Sequence, residues 1–141
     1  MRRILLYTAT GVENLGDECI LLAEYRYLRT RYPDAQIRIA TYNPLSHLLP
    51  EDSRISFFSY FPNKFRVRPL SNIAYFFRNC YELFRADLVI IGGGGLFYDN
   101  EAGQSFQKQL FEWHLRVWVG RLFRKSILFW AIGIDVQEKN I

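Results

Sequence analysis

From Asp87 to Gly95 the chain reads DLVIIGGGG, an aspartate, four aliphatic residues and four consecutive glycines. An apolar run this short and this continuous suits a strand covered on both faces rather than one that wets alternate residues. Strands of that kind belong to parallel sheets with helices on both sides. The expected strand covers Asp87 to Ile91, and the glycines are expected to end it as a loop.

The flanking sequence supports that architecture. Arg3 to Ala9 reads as a buried strand followed by Thr10-Gly11. Asp17 to Tyr32 reads as a helix with Ile20, Ala23/Glu24, Tyr27 and Leu28 at helical spacing, stopped by Pro33-Asp34. Gln36 to Tyr42 and Arg54 to Tyr60 read as strands. Leu70 to Arg85 reads as a helix with Ser71 as N-cap and an apolar face of Ile73, Phe76, Phe77, Cys80, Leu83 and Phe84. Ser105 to Arg124 reads as a third helix. Phe106, Leu110, Trp113, Val117 and Leu122 face inward, and Lys108, Glu112 and Arg116 form a solvated face. Ser126 to Ile132 closes the series as a buried strand. The prediction is one Rossmann-like domain over residues 1–141, a doubly wound, mainly parallel five-stranded sheet ordered 3-2-1-4-5.

Composition narrows the class. Of 141 residues half are hydrophobic, which excludes global disorder. Cys19 and Cys80 both fall in helical patterns without metal-ligand spacing, so they read as small buried apolar residues in a reducing, cytoplasmic setting. The N-terminal run Ile4 to Thr8 is too short for a signal peptide, and no stretch is long enough to span a membrane. The net charge of +4 rests mainly on arginine.

In an open parallel sheet, ligands bind beyond the carboxyl ends of the strands, where strand order reverses. Here that point lies between strands 1 and 4. The loops after them, Thr10 to Glu18 and Gly92 to Asp99, are the two most unusual segments of the chain. The loop Gly133-Ile134-Asp135 borders them. Four glycines in a row exceed what a tight turn needs. They suit a backbone that touches either a ligand or the facing Asn14-Leu15-Gly16-Asp17 turn.

Neither loop is a nucleotide motif. Gly11 to Gly16 has Walker spacing, but Asp17-Glu18 replaces the Lys-Ser/Thr pair. The tetraglycine lacks the third dinucleotide glycine. Instead Glu13, Asp17, Glu18, Asp99, Glu101 and Asp135 gather in or just beyond these loops. Carboxylates there repel a bare phosphate and suit a hydroxyl-rich ligand or a general base. Asp17 and Glu18 can also serve as first-turn acids of a helix. His47 and His114 read as ordinary surface or packed histidines.

Asn14-Leu15-Gly16-Asp17-Glu18, followed by a helix and then by Asp87 to Leu96, resembles the polysaccharide pyruvyl transferase family. That family opens with an N-x-G-D turn and carries a D-x-V-I-x-G-G-G strand-loop about eighty residues later. Its next strand ends in a Gly-x-Gly-Pro-like turn, where this chain has Ala131-Ile132-Gly133-Ile134. The resemblance implies transfer of a pyruvyl ketal group from phosphoenolpyruvate, as donor substrate rather than cofactor, to hydroxyls of a cell-envelope sugar. It implies a two-domain, GT-B-like architecture of which this chain is the N-terminal, acceptor-side domain, with a donor-binding second domain absent.

On that reading either Asp17 or Asp99 activates the attacking hydroxyl, or the base lies in the second domain. Asn14, Gly16, Glu18, Gly92, Gly93, Gly94, Gly95 and Asp135 contact the saccharide or lipid-linked acceptor, and no metal is required. The chain alone is expected to be inactive, and either aggregation-prone or dimeric. A GT-B-like glycosyltransferase fragment and a non-catalytic binding module remain the alternatives. The arginines and aromatics between Phe57 and Arg85 carry no nucleic-acid motif. They read as core plus an apolar, basic rim facing a second domain, a second subunit or the inner face of a membrane.

Overall fold

A computed structural model describes residues 1–10, 14–41, 49–59, 69–98 and 106–135. The elements run β1 (Arg3–Tyr7), α1 (Leu15–Arg31), β2 (Gln36–Thr41), β3 (Ile55–Ser59), α2 (Pro69–Arg85), β4 (Leu88–Tyr98), α3 (Phe106–Leu122) and β5 (Ser126–Asp135). The five strands form one all-parallel sheet ordered β3-β2-β1-β4-β5. Helix α1 covers one face through Leu21 and Leu28, which pack on Ile4, Leu6, Ile37, Ile39 and Ile90. Helices α2 and α3 cover the other, where Leu83, Trp113 and Val119 meet Leu5, Tyr7, Phe58, Val89 and Ile91. Tyr7 is fully buried there, its ring edge-on to Trp113 at 5.9 Å and its hydroxyl donating to Asn79 Oδ1 at 3.2 Å. Burial pushes that hydroxyl's pKa well above its ordinary value.

Several local expectations are corrected. The glycines do not end β4. They lie inside it, and pairing with β5 continues to Tyr98 opposite Asp135. Ser71 lies within α2 rather than capping it. Of the α2 positions expected inside, Leu83 is buried and Cys80 partly so, whereas Ile73, Phe76, Phe77 and Phe84 are exposed. In α3, Leu110 and Leu122 are exposed while Arg116 turns over the rings of Tyr7 and Trp113 instead of into solvent. Cys19 is exposed and Cys80 half-buried. No described helix is long and apolar enough to cross a membrane.

Candidate functional site

The site is built where β1 ends, beside the glycines inside β4 and the start of α1. Asn14 caps α1: its side chain accepts from the Gly16 amide at 3.0 Å and its carbonyl from Glu18 at 3.1 Å. The cap fixes the phase of the helix, so residues 17, 21, 24 and 28 form its buried stripe. That phase differs by about one residue from the apolar pattern: Ala23 and Tyr27 are exposed, and two acids, Asp17 and Glu24, turn toward the sheet.

The glycines of β4 make room for those acids. A Cβ on Gly94 would collide with the Asp17 carboxylate. One on Gly93 would lie 2.5 Å from Thr8 Oγ1 and 3.0 Å from Glu24 Oε2, and one on Gly92 would strike the Trp130 carbonyl. Gly93 and Gly94 have φ of 80° and 109°, values that L side chains rarely adopt. Across the ladder Ala131, which lies between the partners of Gly92 and Gly94, has φ 51°. Both strands are therefore distorted at one level. The Ala9 amide donates to the Gly93 carbonyl at 3.3 Å and Thr8 Oγ1 donates to the same oxygen at 3.4 Å. Of the two uses expected for the bare backbone, the fold shows contact with the facing turn, Gly94 lying against Asp17. Gly92, Gly93 and Gly94 are buried beneath α1.

Glu24 shares a position with Ala23 on the helical spacing of α1 but is not among the candidate site residues; its place on the inward stripe is the signal that could have found it. It is 3% exposed, and among the described residues neither carboxylate oxygen has a hydrogen-bond partner. Desolvation raises its pKa from 4.5 to about 7. The Thr10 hydroxyl is likewise buried and has no hydrogen-bond partner among the described residues. Glu24 lies against Gly92 and Gly93, next to the Asp17–Gly94 contact, so the floor of the crevice carries a buried carboxyl with hydrogen-bonding capacity to spare among the described residues.

Among the sequence-selected residues, Asn14 and Gly16 are exposed at the rim, Glu18 is half-buried, and Asp17 is buried against Gly94. Gly95 pairs through its backbone with Gly133. Asp135 lies at the far end of β5 opposite Tyr98. Glu13, His47, Asp99 and Glu101 lie outside the described residues. His114 is exposed on α3, on the opposite face of the sheet from α1. Among the described residues no group of His, Cys, Asp or Glu is arranged to hold a metal.

Residues 14–141 match the family model described as polysaccharide pyruvyl transferase. No curated protein and no solved structure matches the chain significantly.

Proposed function

Because the chain belongs to the polysaccharide pyruvyl transferase family, we propose that its crevice is the acceptor side of that transfer. The reaction joins two sugar hydroxyls to C2 of phosphoenolpyruvate. C3 takes up a proton, both C–O bonds form at C2, and inorganic phosphate leaves. The protein must then orient two hydroxyls and accept a proton from the first to attack. The carrying observation is the contact between Asp17 and Gly94 at the β1/β4 switch point, with Asn14 and Gly16 exposed above it.

Asp17 is the group we assign to the hydroxyl, as acceptor of its hydrogen bond and of its proton in the attack. Asn14 and Gly16 form the rim that the sugar meets first. The acids disfavour a free phosphate in this crevice, so the donor's phosphate is assigned to residues beyond it. Asp99, Glu18 and Asp135 are secondary candidates for orienting hydroxyls. A lipid-linked sugar processed at the inner face of a membrane suits the same reading.

Backbone amide NMR tests the assignment. Titrating candidate saccharides should shift the amides of Gly16 and Gly94 saturably, and Asp17→Asn should weaken binding about tenfold, the loss of one charge-assisted hydrogen bond. Shifts of these amides by phosphoenolpyruvate and by no saccharide would show that the crevice is a donor site instead.

A further inference from the structure

At the opposite end of the sheet, where β1, β2 and β3 begin, a pocket of about 380 Å³ opens beneath the C-terminal turn of α2. Four arginines line it: Arg3, Arg38, Arg54 and Arg85. Strand register explains the grouping. Arg38 is level with Leu5 on β1 and with Ser56 on β3, so one row of the sheet carries it onto the α2 face. The Asp87 amide donates to the Arg3 carbonyl at 2.9 Å, which holds the last turn of α2 against the start of β1.

The charges in the pocket are not balanced. Arg38 pairs with Glu82 at 3.1 Å and Arg54 with Asp52 at 3.1 Å. Neither Arg3 nor Arg85 forms an ion pair among the described residues. Asp87 accepts from the Arg3 backbone amide at 2.8 Å, not from its guanidinium. Arg85 donates to the Tyr81 hydroxyl at 2.9 Å, which orients the fork without neutralising it. The negative end of the α2 dipole offsets about half a charge. Two guanidiniums outweigh it, inside a concave polar wall that strengthens their field.

We propose that this pocket binds a phosphate group, as a monoester or diester. Two guanidiniums without an ion pair among the described residues match the charge and fork geometry of a phosphate, and Ser53 and Ser56 line the same wall as further donors. A phosphate bound here lies at the far end of the strands from the acidic crevice, so the assignment stands or falls independently of the acceptor reading. Such a phosphate comes from a free phosphorylated compound or from a lipid headgroup. Beside the pocket Phe77, Tyr81 and Phe84 recur at helical spacing along α2, each more than half exposed. Aromatic side chains next to arginines suit the headgroup level of an anionic bilayer.

The test uses the chain with three probes. Inorganic phosphate is titrated against chloride at matched ionic strength, following the Ala86 and Asp87 amides by NMR. Vesicles of phosphatidylglycerol in phosphatidylcholine, and of phosphatidylcholine alone, are assayed by co-sedimentation. Saturable shifts with phosphate and not chloride, weakened about tenfold in Arg3→Gln and in Arg85→Gln, are expected. Vesicle binding that needs phosphatidylglycerol and is lost both in these variants and in Phe77→Ser/Phe84→Ser, with phosphate affinity kept in the latter, identifies a lipid source. Phosphate binding without vesicle binding identifies a free phosphorylated ligand. Equal shifts with chloride, or arginine variants that bind as wild type, would overturn the proposal. Arg3 and Arg85 are exposed, so both variants keep the fold.

Discussion

The two ends of the sheet handle charge in opposite ways. At the carboxyl end, Asp17 and Glu24 are buried on the sheet side of α1 against the glycines of β4, and Glu24 has no hydrogen-bond partner among the described residues. At the amino end, four arginines line an open pocket, two paired with carboxylates and two without an ion pair among the described residues. An exposed guanidinium costs the fold little, because solvent screens it. A buried carboxylate costs much unless it stays protonated or finds a donor. The carboxyl end therefore holds the stored strain and the pH sensitivity, and the amino end holds a field directed at solvent.

The largest expected effect breaks the carboxyl end directly. Gly94→Val places a branched side chain at φ 109° and into the Asp17 carboxylate. Backbone strain and the forced displacement of α1 together should cost about 3–5 kcal/mol in urea unfolding. A loss below about 1 kcal/mol would mean that α1 is not held against β4 as described.

Next comes Glu24. Its pKa is about 7 in the fold against 4.5 for the free group. Between those values the folded chain holds a proton that the unfolded chain has released. Stability is therefore full below about pH 4.5, falls as pH rises, and levels off above about 7. Glu24→Gln cannot titrate, so the difference between variant and wild type should grow across that window. At pH 8 the variant should be more stable by about 1–3 kcal/mol. A difference curve flat from pH 4.5 to 8 would show that Glu24 carries no raised pKa.

A smaller gain should come from the strand beside the glycines. Ala131 sits at φ 51°, a left-handed conformation that costs a residue with a Cβ about 1–2 kcal/mol. Ala131→Gly relieves it, but the more flexible unfolded chain takes back part of the benefit. Thermal unfolding should show a net gain of about 0.5–1 kcal/mol. A net loss would mean that the distortion is confined to β4.

What was legible in the sequence follows the same division. The strand order was readable because Leu88 to Ile91 is continuously apolar and the helical segments are long enough for crossovers. The opposition of Asp17 to the glycines followed from where β1 and β4 end. Helix phase was not readable. In α1 the buried stripe contains two acids, so hydrophobic periodicity points one residue away from it. In α2 the exposed Phe77 and Phe84 mimic an inward face, and the polar Asn79 is buried in their place. The extension of β4 through Gly92 to Gly95 was hidden because glycine reads as punctuation, whereas here its missing Cβ admits the acids of α1. The arginine pocket draws residues from β1, β2, β3 and α2, and only strand register brings them together.

The smallest expected effect sharpens the comparison from the other side. Arg3 and Arg85 are exposed and form no ion pair among the described residues, so their charges are held by solvent rather than by the fold. Removing them takes away no buried contact. The Arg85 bond to Tyr81 joins two exposed side chains, and water replaces it. Arg3→Gln and Arg85→Gln should each leave urea stability within about 0.5 kcal/mol of wild type. Arg85 lies in the last turn of α2, where its charge favours the helix dipole, so in low salt Arg85→Gln should be less stable than wild type by about 0.3 kcal/mol, and the loss should vanish in about 1 M salt, where the Debye length is about 3 Å. A loss of more than about 1 kcal/mol in either variant would place that arginine in the structural framework and leave the amino end no freer of strain than the carboxyl end.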